Sequence, residues 1–201
     1  MCIRDSHKPW HEYRDLFVSP SRIEGGIDFW SENSSVLERA NQRFGVPPEI
    51  IVAIIGVENC YGRITDSFRV VDALTTLAFD YPPRARFFLS ELTEFLLLAR
   101  EENKDPLTFK GSYAGAMGYG QFIPSSFRAY AIDFDSDGAR DIWASTIDAI
   151  GSVGNYFAHL VGGGLAPVGL GGAALGRRGP PWGGGLWDSS GGGGGGAWGG
   201  V

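Results

Sequence analysis

The most apolar run of the chain lies between Ile50 and Val57, where every residue except Gly56 carries an apolar side chain. Two prolines precede it, and Pro48 suits a first helical position, where no N–H is needed and φ is already set. A helix that is apolar all round is normally buried. The run is far shorter than the roughly 20 residues that cross a membrane. The pattern therefore predicts a core helix. At 3.6 residues per turn, Ile51, Ile54, Ile55 and Glu58 share one face. The helix thus delivers a carboxylate at its far end. An acid on an apolar surface is desolvated, which favours the protonated form that a general acid needs. The alternatives are a solvated glutamate just past the helix end, or one paired with Arg63.

Around this run the pattern is that of a mainly helical domain. His7 to Ser31 is rich in aromatics without a clean period, and reads as a short helix near Trp10–Phe17 followed by a loop through Pro20 and Gly25-Gly26. Ser34 to Phe44 predicts an amphipathic helix with Val36, Leu37, Ala40 and Phe44 on one face, ended by Gly45. Asn59 to Phe68 is polar and turn-like. Asp72 is a candidate cap for a helix running to Phe79, with Ala73, Leu74, Leu77 and Ala78 as its apolar side. Tyr81-Pro82-Pro83 breaks the chain. The longest helix is expected at about Arg84 to Glu102, with Phe88, Leu92, Phe95, Leu96 and Ala99 inside. Its wet side is read as Glu91, Glu94, Arg100, Glu101 and Glu102. Pro124 opens a short helix to about Ala131, and a last helix is expected from Ile147 to Val161.

Between the last helices lie two stretches with chemistry. Lys110 to Phe122 reads KGSYAGAMGYGQF, and its small residues allow close backbone approach, either between helices or to a ligand. Asp133, Asp135 and Asp137 followed by Gly138 match positions 1, 3, 5 and 6 of an EF-hand calcium loop, and Ala139 falls at the seventh, which binds through its backbone carbonyl. Position 12 should be a glutamate and is Ala144, so a late acid must come from elsewhere; Asp148 is the candidate. The alternative is a solvated acidic turn.

Composition narrows the function. The net charge of −6 leaves no basic footprint for nucleic acid. Cys2 and Cys60 give no disulfide framework, and His7, His11 and His159 form no ligand pattern. Cys60 reads as a small half-buried residue. No organic cofactor motif is present. The first residues, MCIRDS, carry no apolar signal segment and read as an unrelated leader over 1–6, joined to a sequence already under way at His7. From Gly162 to Val201 nearly half of the residues are glycine, with no periodic apolar face. That stretch reads as disordered, either a natural tail or the product of a frameshift.

Several motifs agree on one family. GVPPEIIVAIIGVE, RVVDALTTLAFDYPPRA, ELTEFLLLAR, KGSYAGAMGYGQFIPSSFRAYAIDFDSDG and DAIGSVGNYF occur in this order over roughly three quarters of the chain. Together they resemble the membrane-bound lytic transglycosylase B family (glycoside hydrolase family 103), whose members cleave bacterial peptidoglycan. The resemblance implies a lysozyme-like helical catalytic domain over 7–161, with 162–201 outside it. Glu58 matches the single catalytic acid, which protonates the bond between N-acetylmuramic acid and N-acetylglucosamine. It then serves as base while the muramoyl 6-hydroxyl closes to a 1,6-anhydro sugar. Ser112 and Gln121 match active-site polar residues. Met117, Tyr119, Phe122, Tyr156 and Tyr13 fall where the family lines its groove, and Arg84 matches an arginine that contacts peptidoglycan. Asp133, Asp135, Asp137, Ala139 and Asp148 match a structural calcium loop.

The same resemblance implies glycan strands as the partner, cell-wall synthesis enzymes as further partners, a monomer, and the periplasm of a Gram-negative bacterium with an outer-membrane anchor as one form. Three departures stand out. Asn59 occupies a place usually held by Thr or Ser, and one residue is inserted between Trp143 and Asp148. The family's further groove-lining residues after DAIGSVGNYF are not followed here, so the catalytic domain reads as C-terminally incomplete. A truncated or inactive glycan-binding module, a hydrolytic muramidase and a calcium-stabilised helical domain without a glycan role remain open as alternatives.

Overall fold

The computed structural model describes residues 9–15, 17–63 and 66–160, without the side chain of Tyr13. The expected leader over 1–6 and the glycine-rich stretch beyond 161 lie outside the described residues. Helices dominate: α1 (Trp10–Asp15), α2 (Pro20–Phe44), α3 (Pro48–Asn59), α4 (Val70–Asp80), α5 (Ala85–Glu101), α6 (Pro124–Tyr130) and α7 (Thr146–Leu160). Two short strands, β1 (Phe68–Arg69) and β2 (Lys110–Gly111), pair antiparallel, Phe68 opposite Gly111 and Arg69 opposite Lys110. No helix among the described residues is long and apolar enough to cross a membrane.

Local punctuation sets most of the helix ends. Pro48 and Pro124 open α3 and α6. Gly45 closes α2 in the left-handed conformation (φ 69°), its N–H donating to the Asn41 carbonyl at 2.7 Å. The start of α2 differs from the expected loop. Ser19 caps it by accepting the Arg22 N–H (3.3 Å), Pro20 enters its first turn, and the helix runs straight through Gly25-Gly26. Those glycines make room for the Tyr61 ring: a Cβ on Gly26 would lie 2.7 Å from its hydroxyl. The expected start near Ser34 coincides with a kink at Asn33 (φ −114°, ψ 17°), whose buried amide donates to the Phe29 carbonyl at 2.8 Å.

Three further expectations need correction. Asp72 is not the cap of α4; it lies in the first turn and receives the Arg69 guanidinium at 2.6 Å. Ala53 and Val57 face outward, so α3 is buried on most of its circumference rather than all of it. On α5, Leu96 is half exposed, while Glu91 is buried instead of wet. Glu91 turns inward because the open N-terminus of α6 offers it the Ser125 N–H (2.9 Å) and hydroxyl (2.8 Å). Burial still pushes its carboxyl above the usual range, with these two bonds pulling the other way.

The core forms where these faces meet. α4 packs on α5, α5 on α6, and α2 on both α3 and α7. Leu37, Ile51, Ile55, Leu74, Phe95, Leu98, Phe127 and Ile150 have essentially no exposed surface. Burying a side chain of that size contributes roughly 1.5–3 kcal/mol. An aromatic chain, Phe95–Phe109–Trp143–Phe127, ties α5 and α6 to the loops, with ring centroids 5.4–5.6 Å apart. Arg128 of α6 bridges Glu94 and Glu101 of α5.

Candidate active site

Glu58 sits half-buried in the last turn of α3. Directly after that turn the backbone takes three consecutive left-handed conformations, at Cys60 (φ 51°), Tyr61 (φ 60°) and Gly62 (φ 84°). Non-glycine residues there cost about 1–2 kcal/mol each, so the turn must be held by its surroundings. Tyr61 does this by packing its ring between α2 and α3, against Gly25, Gly26, Gly56 and Phe29. Gly62 then passes so close to Tyr119 that a Cβ would lie 2.6 Å from the tyrosine hydroxyl. Cys60 is a free, half-buried thiol, as its neighbourhood in the sequence suggested.

The segment from Lys110 to Phe122 faces this turn. Its small residues serve loop closure more than helix packing. The Ser112 N–H donates to the Ala116 carbonyl (2.7 Å), and the Ser112 hydroxyl oxygen accepts the N–H groups of Ala114 (3.3 Å) and Ala116 (3.1 Å). A side chain on Gly111 would strike the Ala116 carbonyl at 2.5 Å. Met117 and Phe122 exchange two backbone hydrogen bonds of 2.9 Å and enclose a tight turn in which Gln121 is left-handed (φ 47°).

Asp66, which sequence reasoning missed, fastens this turn. One carboxylate oxygen accepts the Gly118 N–H (2.9 Å), the other the Gln121 side-chain Nε2 (3.2 Å). Burial pushes the Asp66 carboxyl up, opposed by these two bonds. Its signal was invisible because both partners lie more than 50 residues downstream.

Between the two segments lies an open cleft of about 170 Å³. Asn59 and Gly62 form its α3 side, Gly118 and Tyr119 face them, and Asp66, Lys110 and Trp143 complete the walls. Glu58 directly precedes Asn59 in the chain and is not itself among the residues that line the cleft. Of the other expected site residues, Tyr119 lines the cleft itself, while Ser112 and Gln121 brace the loop that carries it and are not among the cleft's walls. Met117 has no exposed surface, and Phe122 and Tyr156 are almost fully buried, their rings 5.6 Å apart. These three lie in the core and are not among the cleft's walls. Arg84 stands at the corner between α4 and α5, its guanidinium over the rings of Phe87 (4.3 Å) and Phe88 (5.4 Å), and is not among the cleft's walls. The side chain of Tyr13 lies outside the described residues.

The acidic loop is separate. Asp133, Asp135, Asp137 and Asp148 bring one carboxylate oxygen each within 4.8 Å of one another. Asp133 accepts the N–H groups of Ser136 (2.6 Å), Asp137 (3.1 Å) and Gly138 (2.9 Å). These bonds, that of Gly138 foremost, hold its carboxyl below the usual range. Asp148 is fully buried and accepts from Phe134 (2.7 Å), Asp135 (3.3 Å) and Asp141 (2.9 Å), while burial pushes it up. Ala139 donates its N–H to Asp137 at 2.8 Å. Four hard oxygen donors around a glycine turn fit a calcium-sized cation better than a soft metal. Ala144 contributes no carboxylate, and Asp148 supplies the fourth.

Residues 3–161 match the family described as the transglycosylase SLT domain. The chain belongs to this family. Transglycosylase SLT relatives include the membrane-bound lytic murein transglycosylase B of Escherichia coli K12, 55% identical over 148 residues, which are 74% of this chain and 41% of that protein. Among solved structures, the soluble lytic transglycosylase SltB1 of Pseudomonas aeruginosa superposes with a TM-score of 0.76 at 60% identity, covering 78% of this chain and 53% of that one. The Escherichia coli lytic transglycosylase Slt35, solved in complex with calcium, gives 0.71 at 54% identity, covering 75% and 48%. The chain therefore spans about half the length of the relatives it matches. Its mainly helical, lysozyme-like architecture is the one its motifs led us to expect.

Proposed function

We propose that this transglycosylase SLT domain cleaves peptidoglycan without water, by lytic transglycosylation. The observation that supports this most is Glu58 half-buried in the last turn of a helix whose inner face is Ile51 and Ile55, next in the chain to Asn59 of the cleft wall. In this reading Glu58 protonates the glycosidic oxygen between N-acetylmuramic acid and N-acetylglucosamine. It then takes the proton of the muramoyl 6-hydroxyl as that oxygen closes on C1 to give a 1,6-anhydro end. Most glycosidases need a second carboxylate as nucleophile or base; here the substrate's own hydroxyl replaces it. Tyr119 and Trp143 provide sugar-facing surface, Ser112 and Gln121 hold the loop and meet the substrate, and Arg84 contacts peptidoglycan outside the cleft.

We further propose that Asp133, Asp135, Asp137, Asp148 and the Ala139 carbonyl hold one calcium ion in an EF-hand-like loop, with a structural role. The proposed setting is the periplasm, as a monomer acting on glycan strands, with cell-wall synthesis enzymes as further partners. Residues 7–161 would be the catalytic domain of glycoside hydrolase family 103 type. A glycan-binding module without turnover is the second reading.

Digestion of purified sacculi tests the main proposal. Mass spectrometry should find 1,6-anhydro muropeptides, and Glu58→Gln should lower their release by about 10²–10⁴-fold, the usual contribution of a positioned acid–base group. Reducing ends without anhydro products would replace transglycosylation by hydrolysis. Retention of sacculi without any release would favour the binding module.

A further inference from the structure

The turn from Gly118 to Gln121 carries a constraint that lies outside the acid chemistry of Glu58. The Gln121 Nε2 donates to two oxygens at once, one of Asp66 (3.2 Å) and the Gly118 carbonyl (3.0 Å). A carboxylate and a carbonyl only accept, so the group between them must be the NH₂ end of the amide. Both of its protons are thereby committed. The same Asp66 takes the Gly118 N–H with its other oxygen (2.9 Å), which fixes the backbone on which Gln121 stands. Oε1 is the remaining polar atom of the Gln121 side chain, and it can only accept. Asp66 and Gly118 both line the cleft.

We propose that Asp66 is a positioning residue that commits the Gln121 amide nitrogen to the protein. This edge of the site therefore offers a hydrogen-bond acceptor to the N–H or O–H groups of an N-acetylated sugar. The sugar part of this inference rests on the glycan reading above; the orientation of the amide does not. An asparagine could not replace Asp66, because it has one acceptor for two donors. If that acceptor keeps the Gly118 N–H, its own NH₂ meets the NH₂ of Gln121. Turning the Gln121 amide over would relieve this clash but break the bond from Nε2 to the Gly118 carbonyl.

The test uses the full chain, wild type beside Asp66→Asn and Asp66→Ala, and has two readouts. Hydrogen exchange and NMR shifts of the Gly118 amide and the Gln121 side-chain NH₂ report the orientation with no substrate present. We expect Gly118 exchange at least about tenfold faster in Asp66→Ala, the order expected for loss of a hydrogen bond to a charged group. In Asp66→Asn the Gln121 NH₂ signals should move while Gly118 stays protected. The second readout is the KM for sacculi and the affinity for a tetramer of N-acetylglucosamine. KM should rise about tenfold in both variants with kcat within about twofold, and tetramer affinity should fall in parallel. Unchanged Gly118 and Gln121 signals in both variants would overturn the positioning role. Moved signals with unchanged KM and tetramer affinity would overturn the acceptor role while leaving the orientation. If Asp66→Ala does not fold, Asp66→Asn carries both readouts. Inactivity of the wild type on sacculi would count against the glycan reading, and the exchange data would still decide on Asp66.

Discussion

The hydroxyl end of Tyr61 rests against the backbone of Gly56, closer than any Cβ at that position would permit. This contact joins the turn after α3 to the helix that carries Glu58. Gly56→Ala should therefore expel the ring, loosen the left-handed run from Cys60 to Gly62, and shift Glu58. We expect a stability loss of about 1–3 kcal/mol, typical of overpacking a tight core site. Chemical denaturation measures it. A variant as stable as the parent would mean that Tyr61 is not held by this contact.

Gly118 is bound by geometry on two sides. Its φ of 66° is left-handed, and an added Cβ would run into the Ile142 carbonyl. Because that obstacle is backbone, it cannot swing aside as a side chain would. Gly118→Ala should dislodge Tyr119, whose N–H donates to the same carbonyl at 3.0 Å. Loss of cleavage with most of the helical circular dichroism retained is the expected outcome. Normal turnover would show that the turn tolerates rearrangement.

Glu91 gives the stability a dependence on pH. Burial raises its carboxyl, so the folded chain holds this proton more tightly than the unfolded chain does. Folding stability from this group is then greatest at acid pH and falls as pH rises from the ordinary glutamate value through the raised one. Glu91→Gln removes the titration while keeping an acceptor for the Ser125 N–H. Its melting temperature, followed across that interval, should decline less with pH than that of the wild type. Parallel curves would assign the slope to other groups.

Much of this scaffold was legible because its signals are local. Pro48, Gly45 and Pro124 act on their own helices, and the alternation of aspartates with Gly138 lies within six residues. The unread parts depend on partners far away. Gly25-Gly26 looked like a loop, because nothing nearby reveals that a tyrosine on another element needs the space. Glu91 looked wet, since the helix end that draws it inward lies 34 residues on. Asp66 looked like one more polar turn residue for the same reason. β1 and β2 are too short to leave a pattern. Glu58 was placed by a run of apolar residues before it, but the cleft beside it needed the folded loop.

The acidic loop makes its own prediction. Calcium at about 100 times its Kd should add about 2.7 kcal/mol of stability. That corresponds to a rise of roughly 5–10 °C in Tm for a chain of this size. Asp137→Asn should weaken the effect, since Asp137 is exposed and contributes to the oxygen cluster without supporting the core. Identical melting in calcium and in EGTA would sink the metal assignment.

Asp148 adds a mechanical consequence. It belongs to α7, yet its carboxylate receives N–H groups from both ends of the acidic loop, at Phe134 and Asp141. The loop is thus stitched to a helix that itself packs on α2 and α3. A cation there would be a rivet through a seam already sewn. Pulling it out would slacken the fabric near α7 without opening it, so the helix bearing Glu58 would keep its place.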